Sequence, residues 1–231
     1  MKLETYLRLK NINYEPVYSL QFSKKGQIPY IELNGEAFAD SNLIIKELEK
    51  RGICKPDDEE EQQKAINHLV TTTLENHTSI VGFYWRYSFN MEEFCSKLIT
   101  KPNTYPKNTF FFRKILPITM RLRAFLQGIG RHSLEEVCEF SFEDLKAISN
   151  LLKDQKFFNG GDNPSTIDCT LFGHLVQFVF MPMDIPQKEY INRHCPNLEA
   201  FVHRMKNKFW TDWEAQTHSG CMDNKRAKSL K

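Results

Sequence analysis

Apolar and polar positions change period several times along this chain. Residues 2–11 put Leu3, Tyr6 and Leu7 on one side of a short helix, and Asn11 and Asn13 are natural stop residues. Tyr14 to Tyr18 predicts a strand, with Pro16 pointing to an edge or an irregular start. Ser19 to Gly26 leaves room only for a loop or about one turn. Strict alternation follows at Tyr30-Ile31-Glu32-Leu33, directly after Pro29. Asn34-Gly35 is then a strong hairpin signal, and Glu36-Ala37-Phe38 is the return strand. Asp40-Ser41 offers a helix cap, and Leu43, Ile44 and Leu48 give the next helix an apolar side.

From Ile53 the period becomes helical. Lys55-Pro56 and the acidic run Asp57 to Glu61 form a linker that feeds a helix start, where acid complements the helix dipole. A long helix is predicted through Ile66, Leu69, Val70, Leu74, Ile80, Val81 and Trp85. Met91 to Thr100 predicts a shorter helix, broken by Pro102 and Pro106. Phe110 to Gln127 predicts another long helix, bent or interrupted at Pro117. Its Arg113, Lys114, Arg121 and Arg123 read as a solvated face, or as a basic patch for phospholipid or an acidic partner. Ser133 with Glu136, and Ser165 with Asp168, each have capping-box spacing. Asp168 is therefore expected to hold the fold, not to act as a catalytic acid. Helices are predicted over 134–152, from Thr166 past Val179, and from Pro196 to Trp210. The polar, basic residues 217–231 read as a disordered tail.

Composition narrows the classes. The formal charge of +2 gives no long-range argument for nucleic acid. The start, Met-Lys-Leu-Glu-Thr, lacks a secretory apolar run, and no stretch approaches a membrane span. Six cysteines without a C-x-x-C pair predict free, mostly buried thiols in a reducing, cytoplasmic setting, and no zinc site. His68 and His77 are nine apart, not the spacing of two ligands on one helix face.

Strand, tight turn, strand and capped helix over Gly26–Leu48 resemble the end of the glutathione-binding domain of a glutathione transferase, the second half of a thioredoxin-type fold. The longer pattern resembles the failed axon connections family, a glutathione-transferase-like branch related to metaxins. The stretches that carry it are K-L-E-T-Y-L-R, K-G-Q-I-P-Y-I-E-L-N-G, A-D-S-N-L-I-I and G-I-G-R-H-S. The resemblance implies an incomplete thioredoxin-like α/β domain at 1–55, an all-helical domain at 56–216 and the tail at 217–231. It also implies a first strand, between the one at 14–18 and the one at 30–33, that this sequence does not contain. Three explanations fit that gap: a truncated gene model or isoform, a sheet rearranged to three strands, or an edge covered by another chain.

The same resemblance places half of a glutathione site. The Ile28–Pro29 bond would be cis and would present the Ile28 backbone to the ligand's cysteinyl unit. Ser41 would receive the γ-glutamyl carboxylate at a helix start, and Asp40 the ammonium. The region from which transferases activate the glutathione thiol is not in the sequence, and Tyr6 falls inside a helix. The expectation is a non-catalytic adaptor or scaffold with a protein partner, linked to axon development, with a dimer as one form. The alternative is a glutathione-dependent transferase or peroxidase in metal or xenobiotic stress.

Overall fold

The structure, a computed structural model, describes residues 1–17, 21–98 and 111–218. The hairpin forms as the sequence dictates. β1 (Tyr30–Leu33) pairs antiparallel with β2 (Glu36–Ala39), Tyr30 opposite Ala39 and Leu33 opposite Glu36. Asn34 (φ 52°) and Gly35 (φ 82°) supply the two left-handed residues that a tight hairpin turn requires. Helix α1 (Lys2–Leu9) precedes the hairpin and α2 (Ser41–Lys50) follows it. Asn11, also left-handed, closes α1, with the Ile12 N–H donating to the Leu7 carbonyl at 2.9 Å.

Two expectations fail in this region. Residues 14–17 form no strand, and Tyr18 lies outside the described residues. Pro16 has no N–H to donate, and among the described residues no strand pairs with the segment; instead the Tyr14 hydroxyl accepts from Arg8 Nε at 3.0 Å. On α2 the buried side is Ile44, Ile45 and Leu48, while Leu43 is 48% exposed. The Ile44–Leu48 pair fits either Leu43 or Ile45 as its third member, and contact with α1 selects Ile45.

The long helix is α3 (Glu61–Thr73) and α4 (Ser79–Tyr84), joined by a π turn at Leu74–Thr78 and followed by another at Trp85–Phe89. Each π turn inserts a residue and resets the phase of the buried side. Val70, Leu74 and Trp85 face the main helical core, Val81 packs in a second cluster with Tyr84, Ala124 and Val137, and Leu69 is 65% exposed. After α5 (Met91–Leu98) and a π turn at Phe111–Ile115 comes α6 (Leu116–Gln127), with Pro117 in its first turn, where no N–H is missed.

The helical core is built on α8 (Thr166–Val179), which packs against α1, α3, α9 (Pro186–His194) and α10 (Pro196–Phe209), while α7 (Leu134–Leu152) packs on α9 and α10. Leu171, Phe172 and Leu175 are fully buried there. Asp168 accepts from the N–H and the hydroxyl of Ser165 and from the Phe158 N–H, at 2.8, 3.1 and 2.8 Å, so it joins the helix start to the preceding turn. Cys169, on the other side of α8, belongs to the core formed by α1 and α2. A short helix that the sequence pattern does not announce, α11 (Trp213–His218), takes in residues 217 and 218 of the expected tail; 219–231 lie outside the described residues.

Candidate functional site

The register of the hairpin gathers the predicted site residues. Tyr30–Ala39 is the last pair at the open end, so Pro29 and Asp40 leave the two strands side by side. The Ile28–Pro29 peptide is cis, and Ile28 is 52% exposed. A compact turn leads into it: the Ser23 N–H donates to the Gln27 carbonyl, and Ser23 Oγ accepts from the N–H groups of Lys25 and Gln27.

Across from it, Asp40 is the cap of α2. Its Oδ1 accepts from the N–H groups of Asn42 (2.9 Å) and Leu43 (3.2 Å). Ser41 is the first helical residue and is half-buried. The exposed Ile28 and the start of α2 thus share one surface. A ligand carboxylate at the helix start would find the Ser41 amide and hydroxyl, but the next two amides are held by the Asp40 carboxylate.

Tyr6 has no access to that surface. It is completely buried, and its hydroxyl lies 3.0 Å from Glu49 Oε1 and 3.1 Å from Cys54 Sγ. Burial, the Cys54 contact and the Glu49 charge all push its ionisation above the ordinary tyrosine range.

Three polar junctions escape sequence reasoning, because each joins residues distant along the chain. Lys2 Nζ donates to Asn42 Oδ1 (2.6 Å) and Glu75 Oε1 (2.7 Å), and Asn42 Nδ2 donates to Glu75 Oε2 (2.7 Å). Arg8 makes a two-pronged bond to Asp212 (2.5 and 2.8 Å), donates to the Phe209 carbonyl and lies 4.0 Å from the centre of the Trp210 ring. Asp57 accepts from Lys10 and from the N–H of Thr166, both at 2.7 Å. Burial alone would raise the Asp57 carboxyl, but those donors outweigh it and hold it below the usual range.

Deeper in the helices, His174 Nδ1 pairs with Ser79 Oγ at 2.7 Å, and burial lowers its pKa to about 4. Arg131 and His132 contact Phe125, Glu136 and Phe140, all within the helical region. A separate hollow of about 480 Å³ opens beside α6, lined by Tyr84, Phe89, Arg121, Leu122, Phe125 and Gly130. Among the described residues no group of three or more His, Cys, Asp or Glu is placed to hold a metal ion.

Comparison with known proteins places this geometry. A family model described as the glutathione S-transferase N-terminal domain matches residues 1–94, and one described as the glutathione S-transferase C-terminal domain matches 142–205. With the cis-proline hairpin and the α8-centred helical core, these define a glutathione-transferase-like protein. The chain is 39% identical to Failed axon connections of Drosophila melanogaster, over 93% of this chain and 54% of that protein. It is 21% identical to mouse (Mus musculus) Metaxin-2 over 92% of this chain and 82% of that one. It is 27% identical to isoprene-epoxide–glutathione S-transferase of Rhodococcus sp., over 90% of each. The chain belongs to the failed axon connections family, with metaxins as more distant relatives. It spans about half the length of the Drosophila relative. No helix among the described residues is long and apolar enough to cross a membrane.

Proposed function

We propose that this chain is a non-catalytic glutathione-transferase-like adaptor, acting in the cytoplasm through a protein partner, of which a second copy is one candidate. The observation that carries the reading is the fate of Tyr6. Tyr6, the hydroxyl-bearing aromatic near the expected place of a thiol activator, is sealed in the core against Glu49 and Cys54, where burial disfavours its ionisation and no part of it faces a ligand at Ile28. Asp40 adds support, since its carboxylate already occupies amides at the start of α2. The likeness to the Drosophila protein named for failed axon connections motivates a role in axon development. The Rhodococcus transferase keeps the enzyme alternative in view.

A second reading rests on the exposed Ile28 next to the cis proline: Ile28, Pro29, Asp40 and Ser41 hold glutathione without turning it over. Calorimetric titration of the folded chain with glutathione, beside a conjugation assay with a chromogenic electrophile, separates these. The adaptor reading expects no saturable heat below millimolar glutathione and no conjugation. Binding abolished by Ser41→Ala but without conjugation establishes the second reading. Turnover that survives Tyr6→Phe returns the chain to the enzymes, with a different activating group.

A further inference from the structure

Helix α6 exposes an unusual share of its surface. Of its residues Ala124 is buried, while Ile118, Leu122, Phe125 and Leu126 are 65, 57, 52 and 69% exposed. At about 100° per residue these four fall within an arc of roughly 100°, with Met120 and Ala124 on the opposite side. Arg121 flanks the arc on one edge and Arg123 on the other. Ile115, in the preceding π turn, extends the apolar line, and the hollow beside α6 opens onto it through Leu122 and Phe125. Arg113, Lys114, Arg121, Arg123 and Arg131 are all exposed along this segment. Between Glu93 and Glu135 the sequence has no Asp or Glu and eight Lys and Arg, three before residue 111 and five after. Because the whole chain carries only +2, the remainder is net acidic. Charge is thus segregated onto the part of the chain that contains the apolar ridge.

We infer that α6 is a docking face for a membrane surface rich in anionic lipid, with the Ile118–Leu122–Phe125–Leu126 arc entering the interfacial layer and the flanking basic residues meeting the headgroups. Two features favour a bilayer over other occupants. A second copy of the same face would bring like charges together. The segregation of charge would also orient the molecule toward an anionic plane before contact.

The test is flotation of the full 231-residue chain with vesicles of phosphatidylcholine alone and of phosphatidylcholine containing about a quarter phosphatidylserine. The expected result is association at least tenfold stronger with the anionic vesicles and weakened by salt. Leu122→Asp with Leu126→Asp should reduce it at least tenfold, with an unchanged circular dichroism spectrum because both side chains are already in water. Arg123→Glu leaves the apolar arc intact and should weaken association by roughly fivefold or more, in proportion to the charge removed. Equal association with both vesicles, or anionic binding indifferent to the double aspartate variant, overturns the inference. So does sedimentation evidence that the same variant abolishes a dimer, or loses an acidic protein partner, while the chain ignores vesicles.

Discussion

Gly173 of α8 and Lys2 of α1 meet so closely that a Cβ on Gly173 would stand 2.7 Å from the Lys2 Cβ and 2.8 Å from its backbone nitrogen. Nothing larger than hydrogen fits, and the obstacle is backbone, which cannot swing aside. Gly173→Ala gains up to about 1 kcal/mol of helix propensity but forces α1 away from α8. A net destabilisation of about 1–3 kcal/mol is expected, read as a lower urea midpoint.

His174 sets a pH response. Burial lowers its pKa from 6.5 to about 4, so the unfolded chain binds a proton that the folded chain refuses. The sign follows: stability is complete above about pH 6.5 and falls as pH drops from there toward 4, by up to roughly 3 kcal/mol. Equilibrium unfolding at several pH values should show this slope, and His174→Gln should flatten it.

The Arg8–Asp212 pair titrates in a lower window. The Arg8 hydrogen bonds hold the Asp212 carboxyl down at about 2, so its contribution is present above the ordinary carboxylate pKa and is lost as pH falls toward 2. The pair is partly exposed, and much of its worth lies in packing on Trp210. Arg8→Ala is expected to cost about 1–2 kcal/mol and to alter tryptophan fluorescence. Arg8→Lys should rescue only part, since an ammonium cannot reproduce the fork.

Asp168 accepts three bonds at the start of α8. Asp168→Ala leaves the Phe158 and Ser165 amides unpaired and should cost about 2–4 kcal/mol. Asp168→Asn, which keeps one acceptor, should lose roughly half of that. Thermal unfolding of the two variants side by side checks the order.

What the sequence disclosed was local chemistry. Asn34-Gly35, Asp40 and the Ser133–Glu136 box act through neighbours within a few residues, and each does what its spacing implies. The strand expected at 14–18 failed because a strand is made by its partner, and alternation does not report whether one stands beside it. Leu43 and Leu69 were misplaced because a helical period leaves the edge of the buried arc open, and only the packing partner decides which edge residue is covered. The candidate site was legible to the same extent. Asp40 and Ser41 could be placed at the start of α2, but the Lys2–Asn42–Glu75 junction beside them depends on residues up to 73 positions apart.

The joining of the chain's beginning to its end has a consequence for biosynthesis. Thr5 accepts from Trp210 Nε1, and Arg8 is held by Asp212, 204 residues later. At about 5–20 residues per second, a ribosome needs roughly 10–40 seconds to deliver those partners after α1 has emerged. Through that interval the apolar side formed by Leu3 and Leu7 has neither α8 nor the α10–α11 corner to rest on. Helix α1 emerges long before these partners and is among the last of the described helices to settle, and whatever shelters it meanwhile is part of how this protein reaches its shape.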